Sequence, residues 1–245
     1  SIGKKVAVVG GGNTAIDCAR TAKRLGAQEV RVVYRRTRAE MPAANEEIEA
    51  MLKEGIKIDY LTLPQKFFSK NGTLSEMECI RMELGEPDAS GRRRPIPIAG
   101  SEFRVPVDTV IAALGQVTQV DFLKEVKVNT AKNGTVPIDT NTGATNVAGI
   151  FAGGDVVTGA AYVVDAIAAG KKAAISIDRY LKGESIEVKK EEKKPEKLDE
   201  KEVAASKQRF PVQSRIHMNE TPVEERVKNF KEVALGKEGE AFTNP

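Results

Sequence analysis

Gly10, Gly12 and Ala15 form a Gly-x-Gly-x-x-Ala spacing within Val8-Val9-Gly10-Gly11-Gly12-Asn13-Thr14-Ala15, directly after a β-branched run and at the start of a helix-periodic stretch. That spacing suits the binding of a pyrophosphate. Gly10 allows a tight turn, Gly12 lets the backbone approach the anion, and Ala15 lets the helix pack closely on the sheet. With Gly11, Asn13 and Thr14 completing the loop, the anion rests on the free N–H groups and positive dipole end of the helix that starts near Thr14. The same string also makes a merely tight structural turn. The strand before it, the helix after it and the return to a second strand favour the dinucleotide site.

The second strand runs into Tyr34-Arg35-Arg36-Thr37-Arg38 with no acid at its end. A site selective for NAD places Asp or Glu there, about 20 residues beyond the glycines, to accept from the ribose 2′-hydroxyl. A carboxylate repels a 2′-phosphate, whereas guanidinium groups bind one with charge-assisted hydrogen bonds. Arg35 and Arg36 therefore point to NADPH. Their alternative use is to lie solvated or paired with Glu40, Glu46 and Glu47.

The elements that must hold these residues follow from periodicity. Val6 to Val9, Val30 to Tyr34 and Ile56 to Ile58 read as strands, and Thr14 to Leu25 and Ala44 to Glu54 read as helices ended by Gly26 and Gly55. The order is β-α-β-α-β, a parallel sheet of the doubly wound, Rossmann-like α/β class. From Gln65 to Arg104 the pattern predicts an antiparallel meander, with an Asn71-Gly72 turn between Lys66-Phe67-Phe68 and the run Leu74 to Leu84. The Gly91-Arg92-Arg93-Arg94-Pro95 tract and Pro95, Pro97 and Pro106 predict a loop. Thr109 to Leu114 then returns to the parallel sheet as a strand buried on both faces. Beyond Gly115 the sequence predicts a short strand at Val136 to Ile138, the string Ile150-Phe151-Ala152-Gly153-Gly154-Asp155 and an Ala-rich helix over about 161–182. From Glu184 to Gln208, 15 of 25 residues are charged with signs interleaved, which leaves no face to bury. A weakly amphipathic piece, Pro222 to Phe230, is able to dock on something.

Composition narrows the chemistry further. The 245 residues carry 38 Lys+Arg against 35 Asp+Glu, a formal charge of +3, so no general attraction to nucleic acid is expected. Arg92-Arg93-Arg94 lacks interleaved aromatics and reads as a solvated hairpin tip. Cys18 and Cys79 form no CxxC and read as packing residues, and one histidine, His217, offers little to a metal. No apolar run has membrane-spanning length and the first residues hold no signal-peptide stretch, so a soluble, cytoplasmic protein is expected. No side-chain constellation for nucleophilic catalysis is present, and the chemistry must come from a cofactor.

The strings at residues 8–17, Val33-Tyr34-Arg35-Arg36-Thr37-Arg38-Ala39-Glu40-Met41-Pro42-Ala43, and Ile150 to Asp155 together resemble the small (beta) subunit of NADPH-dependent glutamate synthase and its relatives. The resemblance covers about residues 3–183. It implies an NADPH-binding domain over 1–114 with the meander inserted, the C-terminal part of an FAD-binding domain over 115–183, and a charged linker and tail over 184–245. The chain would re-enter the FAD domain near Ala113, Leu114, Gly115 and Gln116, with Thr118 where the family often has Pro. Gly154 and Asp155 would hold the flavin's ribityl end, and the helix from about Ala161 would face its ring. Ala166, Ala169 and Gly170 are expected to be close-packing positions.

The family's other glycine-rich fingerprint, which opens its FAD domain, has no counterpart in this sequence. Pro222 to Gly236 resembles the lead-in to a Cys-rich iron–sulfur segment, yet no cysteine follows. The expectation is a portion of a larger NADPH/FAD oxidoreductase whose remaining FAD half comes from elsewhere in the protein or from a partner. Electrons would pass to iron–sulfur centres or to a partner subunit, of the amidotransferase type among others. By itself the chain is expected to be inactive and colourless. The alternative is a non-catalytic NADPH-binding module or redox sensor.

Overall fold

Alternation along the first strands decides the layering. In β1 (Lys5–Val9) and β2 (Glu29–Val33), Val6, Val8, Val30 and Val32 face one way and Ala7 and Val33 the other. Such two-sided burial suits strands inside a parallel sheet. The computed structural model describes residues 2–87, 91–187, 203 and 218–236. It divides the chain into two units, Ser1–Leu114 with Ser214–Pro245, and Gly115–Gln213.

In the first unit four parallel strands are ordered β3-β2-β1-β8, with β3 at Lys57–Asp59 and β8 at Thr109–Ala112. Helices α1 (Asn13–Arg24) and α2 (Asn45–Lys53) cover one face, where Ala15, Ile16, Ala19, Ala22, Ile48 and Met51 pack on Val6, Val8, Val30 and Val32. Both helices end in a left-handed glycine, Gly26 at φ 97° and Gly55 at φ 77°. The amides of Ala27 and Ile56 then reach back to Ala22 O and Met51 O, the six-to-one bond of a Schellman cap.

The opposite face is covered by the meander rather than by helices. β4 (Thr62–Lys70), β5 (Thr73–Pro87) and β7 (Phe103–Pro106) bring Met77, Cys79 and Val105 onto Ala7 and Val33. Asn71 and Gly72, both at positive φ, make the tight hairpin turn between β4 and β5. Burial pushes the Cys79 thiol up to about 11, so it packs as a neutral core side chain.

Three expectations are corrected. The Arg93–Pro97 stretch is strand β6, not a loop, and β7 follows it. Among the described residues β6 pairs only with β5, and an edge strand tolerates Pro95 and Pro97 because half its amides need no ladder partner. β8 is only partly buried, since it forms the edge of the four-stranded sheet. No strand forms at Val136–Ile138, where Val136 makes a single backbone bond to Val156 O.

The second unit is mostly turns before its helices. Asp139 Oδ1 accepts from the amides of Asn141 and Thr142 and from the Thr142 hydroxyl, Ala144 bridges to Phe151, and α3 (Asp155–Thr158) and α4 (Val163–Leu181) follow. Gly153 and Gly154 are close-packing positions: a Cβ on Gly153 would lie 2.8 Å from Ala169 Cβ, and one on Gly154 3.3 Å from Ala166 Cβ. Ala166 and Ala169 pack as expected, whereas Gly170 does not, because a Cβ there would meet nothing within 4 Å. Asp178 pairs with Lys182 on the surface.

The tail expected over 184–245 is not uniform. Residues 188–202, 204–217 and 237–245 lie outside the described residues, but 218–236 folds onto the first unit. There β9 (Asn219–Glu220) pairs with β10 (Ala234–Gly236) around a one-turn helix, Val223–Arg226. Arg226 is buried to 2% exposure beside the fully buried Glu54 carboxylate. Arg20 and Arg24 from α1 also bind Glu54, at 2.9 and 2.8 Å, while Glu47 and Glu220 balance the extra positive charge. Burial alone would push the Glu54 carboxyl up. The hydrogen bonds and charges of Arg24 and Arg20 outweigh it, and the net shift is downward.

Candidate dinucleotide site

Each glycine of the Gly10-Gly11-Gly12 loop has a different neighbour. Gly10 follows β1 at φ 147°, donates to Val33 O, and leaves no room for a side chain, since a Cβ would lie 2.2 Å from Ala113 O. Ala113, expected near the flavin crossover, is thus the backbone against which the glycine turn closes. A Cβ on Gly11 would strike the Tyr34 ring at 2.4 Å. Gly12, the residue preceding α1, has no atom within 4 Å of a would-be Cβ, and no side chain caps the helix. The first two glycines are required by the fold. The third leaves open space at the start of a twelve-residue helix, which is what an approaching anion needs.

The loop after β2 is tied to this turn. Asn13 Oδ1 accepts from the Ala44 amide at 2.8 Å, and the Ala43 amide donates to Gly11 O. Asn13 therefore serves the loop's architecture. Thr14 is exposed on the first turn of α1, and Ala15 is fully buried against the sheet. A capping box, in which the Thr37 amide donates to the Glu40 carboxylate and the Thr37 side chain accepts from the Glu40 amide, holds the Arg35-Arg36 corner; the Thr37 hydroxyl also donates to that carboxylate, and the Tyr34 hydroxyl donates to Glu40 O. The Thr37 hydroxyl contact holds the Glu40 carboxyl below its usual range.

Arg35 is exposed, while Arg36 is 5% exposed with its Nε donating to Arg93 O at 2.7 Å. Of the acids weighed as partners for these arginines, Glu40 is engaged by Thr37, and Glu47 by Arg20. The contacts of β6 with this corner had no counterpart in the sequence reading. The run of three arginines was its only signal, and it read as a solvated tip.

In the second unit Gly154 adopts φ 72° before α3, and Asp155 is exposed with Oδ1 accepting from the Ala161 amide at 3.3 Å. Asp155 lines a cavity of about 150 Å³ together with Gln116, Val117, Thr118, Asn133 and Thr135. Gly115 has no neighbour within 4 Å of a would-be Cβ. α4 exposes Val163, Val164, Ile167, Ile175 and Leu181, with Tyr162 before it, and Ser176 is its one buried residue. Exposed apolar faces of this kind mark interaction surfaces. Among the described residues no group of acids, histidines and cysteines is arranged to hold a metal ion, and no helix is long and apolar enough to cross a membrane.

A glycine turn between the first strand and first helix of a parallel sheet, with cationic residues at the end of the second strand, defines a Rossmann-type nucleotide-binding protein. More closely, residues 1–170 match the pyridine nucleotide-disulphide oxidoreductase family, and the chain belongs to it. Among curated relatives, the beta subunit of the NADP(+)-dependent formate dehydrogenase of Moorella thermoacetica is 44% identical over 237 residues, which is 96% of this chain and 33% of that protein. The small chain of the NADPH glutamate synthase of Azospirillum brasilense is 40% identical over 185 residues, 75% of this chain and 38% of that protein. The chain therefore spans between a third and two fifths of the length of these two relatives. Thioredoxin reductase from Lactococcus lactis shares the fold, with a TM-score of 0.60 at 19% identity over 74% of this chain and 54% of that one.

Proposed function

We propose that this chain is the NADPH-binding part, with one portion of the FAD-binding part, of a flavoprotein oxidoreductase subunit resembling the glutamate synthase small chain. The observation that carries the reading is the open approach to Gly12 at the start of α1, beside the Arg35-Arg36 corner. NADPH, when bound, would supply a hydride to FAD, whose two electrons would go on singly to iron–sulfur centres or singly or in pairs to a partner subunit, with the proton released to solvent. The residues of this chain bind and orient. The Gly12 turn and the Asn13 and Thr14 amides receive the pyrophosphate, and Arg35 and Arg36 answer the 2′-phosphate. Ala15 keeps α1 close enough to the sheet for the loop to hold its shape.

The second unit fits a flavin in part. Gly154 and Asp155 offer a turn and an acceptor carboxylate at the start of α3, and the apolar side of α4 is suited to the rest of an FAD domain or to a partner subunit. The formate dehydrogenase relative matches 96% of this chain, so its similarity includes the charged tail. That supports a subunit of a larger electron-transfer assembly, to which our reading adds a cytoplasmic location. Calorimetric titration with NADPH and NADH tests the core of the reading. A charge-assisted bond is worth about 1.5–3 kcal/mol and less at an exposed guanidinium such as that of Arg35, so Arg35→Ala with Arg36→Ala should weaken NADPH binding roughly tenfold to a few hundredfold and spare NADH. Equal affinities of the unmodified chain for the two nucleotides would overturn it.

A further inference from the structure

The corner that carries Arg35 and Arg36 is pinned by one short segment, residues 59–62, where β3 gives way to β4. The Tyr34 amide donates to Asp59 O at 3.0 Å, the Thr62 amide to Tyr34 O at 3.0 Å, and the Leu61 amide to Arg36 O at 3.1 Å. Arg35 lies between the two carbonyls so held, and its exposed side chain leaves a backbone fixed on both sides. Leu61 also serves the meander, since its own carbonyl accepts from the Met82 amide of β5 at 2.8 Å. One residue thus joins the end of β2 to the inserted strands.

Meeting both demands takes an unusual backbone. Leu61 lies at φ 50°, in the left-handed region that leucine adopts only at a cost. Asn71, also at positive φ, sits in a two-residue hairpin turn that calls for it, but β3 and β4 belong to different sheets and no hairpin joins them. Thr62 is buried, and its hydroxyl donates to Tyr60 O, so the segment has little slack. Strain of this kind persists only where the surroundings over-determine it, and it clusters at functional sites. We propose that Leu61 is a positioning residue for the choice of nucleotide: its left-handed turn holds the Arg35 backbone so that the guanidinium is presented to the 2′-phosphate of NADPH. This inference rests on the NADPH reading above.

Calorimetric titration with NADPH and NADH, read as the ratio of the two affinities, tests it, because a merely structural residue lowers the melting temperature without moving that ratio. If the unmodified chain fails to prefer NADPH, the NADPH reading itself fails and this inference with it. If it does prefer NADPH, Leu61→Val, whose branched Cβ resists positive φ, should weaken NADPH binding roughly three- to tenfold and leave NADH unchanged. Leu61→Asn, which accepts the turn, should keep the preference. A Leu61→Val chain that melts lower yet keeps its preference overturns the inference and leaves the NADPH reading standing. Hydrogen exchange of the unmodified chain gives a second readout that depends on no variant folding. Saturating NADPH should slow exchange of the Leu61 and Thr62 amides more than saturating NADH does, by roughly threefold or more. Equal protection by the two nucleotides also overturns the inference.

Discussion

Alanine at Gly10 and alanine at Gly12 should have opposite effects, although both residues belong to one motif. At Gly10 the new Cβ would lie 2.2 Å from Ala113 O, on a backbone held at φ 147°. Strain of that kind costs about 1–3 kcal/mol. Moving the Ala113 carbonyl aside also threatens the adjoining bond from the Ala113 amide to Val9 O, worth about 1 kcal/mol. A loss of about 2–4 kcal/mol is a large part of the 5–15 kcal/mol typical of a domain and lowers its midpoint by about 5–20 °C.

Gly12 lies at φ −89°, ψ 175°, which alanine adopts freely, and its Cβ would meet no protein atom within 4 Å. Gly12→Ala should leave the melting temperature unchanged or raise it slightly, by about 0.4–1 kcal/mol of stability. Its Cβ would instead occupy the space a pyrophosphate needs, and overpacking of about 1–3 kcal/mol weakens NADPH binding roughly tenfold to a hundredfold. Thermal melts without nucleotide and calorimetric titration with NADPH read the two effects separately. If Gly12→Ala binds NADPH as tightly as the unmodified chain, or Gly10→Ala melts with it, the division of labour within the loop is refuted.

Two other outcomes are expected. Glu54→Ala strands Arg20, Arg24 and Arg226 around a buried void and should cost about 3–5 kcal/mol, with 218–236 losing protection in hydrogen exchange. Because the folded Glu54 carboxyl titrates below its unfolded value, its contribution is present above the unfolded pKa and lost as pH falls through the folded one, so acid melts of the unmodified chain should steepen below about pH 4.5 and those of Glu54→Ala should lack that part. The purified chain should be colourless near 450 nm and should not reduce dyes with NADPH and added FAD, since the described part of the second unit has no strand–turn–helix to hold the flavin's pyrophosphate. Stoichiometric FAD with turnover would contradict this.

Local sequence determined the parallel sheet, both glycine-capped helices, the Asn71-Gly72 hairpin and the glycine turn, because hydrophobic period and positive-φ residues act within a few positions of themselves. The proposed preference for NADPH rests on equally local residues, since Arg35 and Arg36 lie two and three positions past the end of β2. What the tertiary structure alone decided involves residues far apart in sequence. Tyr34 beneath Gly11, Arg36 against Arg93 and Arg226 against Glu54 are contacts with no periodic signature. Pro95 and Pro97 read as loop residues until strand order put them on an edge, and Thr109–Ala112 read as doubly buried until β8 proved to be the last strand of its sheet. A proline's tolerance and a strand's burial depend on which neighbours exist, and strand order is a property of the assembled chain.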